Sequence, residues 1–222
     1  MKEPIARRLG RCVPLAGVAF AVLTAAAFLT MGKNPEPDVS ISEVTSFYAA
    51  HDAHFVTGGI MLAYAAIFFA LFGMVIWARI HRAGLHPVVA CAALVGTAVA
   101  TVAQLAGAMT YYVLGDVGGK HTISAPAIQA LHLAGTELSL PIAGGVEILL
   151  LAVAAAGIFA GVFPRWLAWS ALVIGVLQLV TPIGFTAFLV FLVWTAIASV
   201  VMAVRPAVAA SATARDGAPL PA

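Results

Sequence analysis

Glu147 is a carboxyl set in an apolar run, Ile142-Ala143-Gly144-Gly145-Val146-Glu147-Ile148-Leu149-Leu150. An acid in hydrocarbon costs a few kcal/mol unless it is paired or reaches water, and acids found there mark proton paths or polar-ligand sites. Three further apolar runs each carry one polar group: Tyr64, Gln104 and Gln178. At 1.5 Å per residue all four stand about 18–24 Å from the basic ends of their helices, in one common layer. Thr97, Thr101, Gln104, Ala108 and Tyr111 recur at i, i+4, i+7, i+11 and i+14, which is one helical face. That stripe is expected to look into the bundle rather than at lipid. No Lys or Arg lies inside an apolar run to neutralise Glu147. Its partners are to be sought among Gln104, Tyr64, Gln178, a histidine, water or its own proton. The plainer alternative is that Glu147 reaches the surface, or makes one interhelical hydrogen bond worth roughly 0.6 kcal/mol. Simple hydrogen bonding between helices is likewise the plain role for Gln104, Gln178 and Tyr64.

Outside the apolar runs the chemistry is thinner. His51-Asp52-Ala53-His54 puts two imidazoles at i and i+3, and His132 and Glu137 lie on a second polar segment. Imidazole with carboxylate suits zinc, copper or iron. The spacing matches neither HExxH nor paired CxxC, so His51 and His54 are weak metal candidates and no metal is assigned. Haem needs ligands inside a bundle, whereas the six histidines fall at or beyond the ends of the apolar runs; no cofactor is expected. There is no glycine-flanked Ser nucleophile and no phosphate-binding Gly-rich loop. Cys12 and Cys91 form no CxxC pair and read as small packing residues.

The elements that must hold these groups are membrane helices. Of 222 residues, 63% are apolar and 9% charged, with a mean hydropathy of +1.05. A soluble domain is about 45–50% apolar and about 25% charged, so a water-soluble globule and a disordered chain are both excluded. Eleven Lys+Arg against nine Asp+Glu, with no basic block, exclude nucleic acid as a partner. Six spans are predicted, at about residues 13–31, 56–77, 88–114, 142–162, 166–181 and 185–204, each near the ~20 residues that cross ~30 Å of hydrocarbon. The basic N-terminus before 13–31 resembles a secretory signal, but that run is long enough to span and is read as retained. With the N-terminus inside, nine basic residues fall on the cytoplasmic side and only Lys33 and Lys120 outside. The expectation is therefore an all-α plasma-membrane protein, one six-helix domain over residues 1–205 with both termini cytoplasmic, and a disordered tail over 206–222.

Two polar segments are expected as short outer helices. Ser40-Ile41-Ser42-Glu43 is a capping box, from which a helix is predicted to run into the second span. Residues 124–140 continue into the fourth span, with a break supplied by Pro141 and Gly144-Gly145. Pro182 and Gly184 predict a tight turn between spans five and six. Gly157-Ile158-Phe159-Ala160-Gly161 is a GxxxG pattern for close helix approach.

The basic N-terminus, the Glu43-Val44 to Tyr48-Ala49-Ala50-His51 segment and the turn Phe163-Pro164-Arg165-Trp166-Leu167-Ala168-Trp169 together resemble small polytopic bacterial membrane proteins of the domain-of-unknown-function kind. The resemblance spans most of the chain and implies a fold without implying an activity. Three readings follow. The first is a binding, accessory or small-solute and proton-handling protein with an outward-facing polar pocket lined by Tyr64, Thr97, Thr101, Gln104, Tyr111, His132, Glu137, Glu147 and Gln178. The second is a membrane enzyme on a lipid-soluble, isoprenoid-like substrate, with Glu147 as its general acid. The third is a structural subunit. Membrane lipids, a lipid-soluble small molecule, and a second copy or another membrane protein are the expected partners.

Overall fold

The computed structural model describes residues 13–36, 39–120, 122–178 and 184–204. All of its regular structure is helical. A 3₁₀ turn at Val13–Leu15 leads into α1 (Ala16–Met31), followed by α2 (Ile41–Ala50), α3 (Asp52–Arg82), α4 (Pro87–Lys120), α5 (Ala125–Glu137), α6 (Ser139–Ala160), α7 (Arg165–Gln178) and α8 (Gly184–Val204). Five helices are long and apolar enough to cross a membrane, with α5 and α6 counted as one. The expected fifth span is the exception. Its described part, α7, has 14 residues, about 21 Å, short of the ~30 Å of a hydrocarbon core. The rest of that span, the turn at Pro182, His121, the basic N-terminus with Cys12 and the tail lie outside the described residues.

The apolar core binds α1, α3, α6 and α8. Phe20 of α1 meets Phe69 of α3 with ring centroids 5.0 Å apart, and Phe191 of α8 closes the group at 6.1 Å from each. Glycine sets how closely the other helices approach. A Cβ on Gly59 of α3 would stand 2.8 Å from the Ala108 carbonyl oxygen of α4, and one on Gly145 of α6 would stand 2.5 Å from the Ala100 nitrogen. These are backbone-to-backbone contacts that no larger residue permits, and they fix α4 between α3 and α6.

Helices α3 and α4, with 31 and 34 residues, run about 46 and 51 Å and outreach a bilayer core. Their overhang carries α2 and α5, which cover one end of the bundle, here the capped end. Ser40 caps α2 as expected, its hydroxyl accepting from the Glu43 N–H at 3.3 Å. The helix does not continue into α3: it stops at His51 (φ −123°, ψ 22°), whose Nδ1 lies 2.9 Å from the Phe47 carbonyl oxygen while its ring stacks on Phe47.

The α5–α6 break also falls earlier than predicted, at Leu138. Pro141 has no N–H to offer the Glu137 carbonyl four residues back, so the ladder is interrupted one turn before the proline. Gly145 instead serves the contact with α4. The GxxxG pattern divides in two: Gly157 packs on Ala168 of α7, whereas Gly161 adopts a left-handed conformation (φ 64°) and ends α6.

Candidate functional site

The polar stripe of α4 turns inward, toward its seam with α3. Thr97 is buried, donates to the Ala93 carbonyl at 2.7 Å and fills the notch left by Gly73 of α3. Gln104 is buried and donates through Nε2 to the Leu62 carbonyl of α3 at 3.4 Å. Thr101 keeps a buried hydroxyl with no partner among the described residues. Tyr64 leaves the group: it is 59% exposed, on the flank of α3 opposite its buried Ala65 and Ala66. An aromatic of this size on an outward flank contacts what surrounds the bundle, so Tyr64 does not join the interior layer.

Glu147 and Gln178 do share a level. Helices α6 and α7 are antiparallel neighbours in which Gly157 abuts Ala168 and Gly175 faces Leu150 and the Glu147 carbonyl. The same register carries Gln178 to the height of Glu147. At 100° per residue, Glu147 stands about 200° round α6 from Gly145, so its side chain points away from α4. It is half-buried and has no hydrogen-bond or ion-pair partner among the described residues. Gln178 is 8% exposed, and neither its amide oxygen nor its amide nitrogen has a partner among the described residues. Two buried unsatisfied atoms cost about 1–3 kcal/mol each, so the amide is unstable in isolation and suited to a group that bonds to it. Open space lies on the flank of α6 next to Glu147: a Cβ on Gly144, one turn before it, would meet nothing within 4 Å. Glu147 and Gln178 therefore stand at one depth on neighbouring helices, a carboxyl and an amide that can each hydrogen-bond a small polar group.

A second polar cluster occupies the capped end. Tyr48 of α2 is fully buried, and its hydroxyl lies 2.9 Å from His132 Nδ1 on α5. Burial, with the Tyr111 phenol nearby, pushes the Tyr48 phenol far above its ordinary range, so it remains a neutral hydroxyl. Asn34 donates through Nδ2 to Tyr111 Oη at 3.3 Å. Two atoms of this cluster, Asn34 Oδ1 and His132 Nε2, meet no hydrogen-bond geometry with the described residues, though the Glu36 backbone lies close to the imidazole. Four elements thus converge on one buried polar group, and the cluster fastens α5 to α2 and α4.

His132 and Tyr111 are brought together here, apart from Glu147, while Glu137 stays exposed. Sequence reasoning missed Tyr48 and Asn34. The signal for Tyr48 was its position four residues after Val44 on the capping-box helix, which puts both on one face. Asn34, in an irregular segment, offered none. His51 and His54 have ring centroids 6.1 Å apart, but His51 Nδ1 is engaged with the Phe47 carbonyl and an Asp52 carboxylate oxygen accepts from the Ala53 N–H at 2.6 Å. No three His, Cys, Asp or Glu side chains converge as a metal site among the described residues.

Comparison with protein-family models, with curated proteins and with solved structures finds no match.

Proposed function

We propose that the chain is a six-span plasma-membrane protein, with cytoplasmic termini and the capped end outward, that handles a small polar solute or a proton at the level of Glu147 and Gln178. Charge distribution supports the orientation. Among the described residues Arg79, Arg82 and Arg165 stand at the end away from the cap, while Lys33, Lys120, Glu36, Glu43, Asp52, Asp116 and Glu137 stand at the cap. In this reading α7 supplies the sixth crossing.

One observation carries the functional part: the buried Gln178 amide, without a partner among the described residues, stands level with Glu147, whose own helix flank is open at Gly144. A carboxyl kept away from all cations can accept and release a proton without breaking an ion pair. The amide opposite holds the group that Glu147 serves, in either hydrogen-bonding sense. The α4 stripe, being engaged with α3, positions α4 and takes no part in transfer.

The test is flux and labelling in proteoliposomes. Vesicles holding the full chain and a trapped pH dye are given a proton gradient, and the rate is compared with Glu147→Gln. Loss of a group essential to transfer is expected to slow the flux about tenfold or more, equivalent to ~1.4 kcal/mol on the barrier. A hydrophobic carbodiimide is expected to modify Glu147 in preference to Glu137 or Glu43. Equal flux in both proteins together with no preferential labelling of Glu147 would remove the proposal.

A further inference from the structure

One imidazole ties the capped end together. His132 of α5 is 2% exposed, and its Nδ1 lies 2.9 Å from the hydroxyl of Tyr48 on α2, which is fully buried. Among the described residues this is the one side-chain hydrogen bond between α5 and another element. The rest of the hold on α5 is apolar: Ile128 is buried with Val44 of α2, and Gly135 rests against Thr110 of α4. The Tyr48 hydrogen has no other acceptor among the described residues, so Nδ1 accepts it and the imidazole is neutral.

Among the described residues no counter-ion faces His132. Tyr48 of α2 and Tyr111 of α4, which stands near Tyr48, are phenols that carry no charge at ordinary pH. The Glu36 backbone comes close from the segment before α2, but the Glu36 carboxylate pairs with Lys33. On α4, Asp116 pairs with Lys120. Glu43 of α2, Glu137 of α5 and Glu147 of α6 form no ion pair with the imidazole.

We propose that His132 and Tyr48 form a pH-sensitive latch, in which the neutral imidazole holds α5 against α2 and its protonation releases α5. A proton on Nδ1 turns the acceptor into a donor. The Tyr48 hydrogen then loses its partner, and a full charge is left buried beside neutral phenols. With α5 swung away the imidazolium reaches water, so the open cap binds one more proton than the closed one. By linkage the latch holds above the imidazole titration and is lost as pH falls, the open-to-closed ratio rising up to tenfold per pH unit. The helical run is already interrupted at Leu138, which lets α5 move without unwinding α6. Nothing in this latch draws on Glu147 or Gln178.

The test is hydrogen exchange of the full chain in lipid nanodiscs at about pH 7.5 and about pH 5, either side of an ordinary imidazole titration. Rates are corrected for the intrinsic pH dependence of amide exchange. Protection of the α5 amides is expected to fall about tenfold or more at the lower pH, while that of the middle of α3 stays constant. His132→Asn keeps an acceptor near the place of Nδ1 but cannot titrate, and its α5 protection should not change with pH. Tyr48→Phe should show weaker α5 protection than the wild type already at the higher pH. Wild-type α5 protection that is the same at both pH values overturns the latch. So does a fall that persists in His132→Asn, because another group would then be titrating, and so does full α5 protection in Tyr48→Phe.

Discussion

Gln178 and Tyr48 show how differently a buried polar group can stand in one bundle. Tyr48 is engaged with His132, and Tyr48→Phe would leave the imidazole without its hydroxyl partner. A loss of about 1–3 kcal/mol is expected, read as a lower unfolding midpoint in detergent. Gln178 engages nothing among the described residues, so Gln178→Leu should remove two unpartnered atoms and leave stability unchanged or raised by about 1 kcal/mol. If the proposed function holds, the same substitution lowers proton or solute flux. A residue whose removal steadies the protein while impairing it is kept for something other than the fold; a Gln178→Leu protein that is both less stable and fully active would argue for a structural amide. Both residues show what sequence can convey at this scale. Polar groups in apolar runs are visible by type, and Gln104, Thr97 and Gln178 do turn inward. Whether an inward group meets a backbone carbonyl, a notch or nothing depends on the neighbouring helix, which the sequence of its own helix does not contain.

Adjacent glycines on α6 separate packing from propensity. Gly145 lies against α4, and a Cβ there would stand 2.5 Å from a backbone nitrogen that cannot move without its helix. Gly145→Ala is therefore expected to cost about 1–3 kcal/mol through overpacking. Gly144 faces open space, and Gly144→Ala should gain about 0.5–1 kcal/mol from the better helix former. Opposite shifts in the unfolding midpoint, measured side by side, check the α4–α6 contact; shifts of one sign would contradict it. Helix existence was legible from the apolar runs, and the Ser40 cap from its Ser-x-x-Glu spacing. Helix ends were less so. The stop at His51 comes from a stack on Phe47 that becomes visible only with the ring in place, and the Leu138 break lies a turn before the proline that causes it. The two glycines read alike in sequence because nothing local distinguishes a glycine needed for contact from one that merely is there.

Across the described residues the acids lie at or toward the cap and the three guanidinium groups at the opposite end, and this polarity makes orientation measurable. Cys91, exposed near the start of α4, lies at the end away from the cap. With the cap outward, a membrane-impermeant maleimide should label Glu43→Cys in intact cells but reach Cys91 only after permeabilisation. The reverse pattern would invert the proposed topology.

Composition and the period of the apolar runs determined by themselves that this chain forms long apolar helices, because burying apolar surface away from water is a property of each segment taken alone. Which polar groups face one another was decided by the tertiary structure. The α6–α7 register, set by Gly157 on Ala168 and Gly175 on Leu150, brings Gln178 level with Glu147, and the overhang of α3 and α4 gathers Asn34, Tyr48, Tyr111 and His132 beneath the cap. Those meetings arise from close packing between segments distant in sequence, where the shape of one helix surface selects the position of the next.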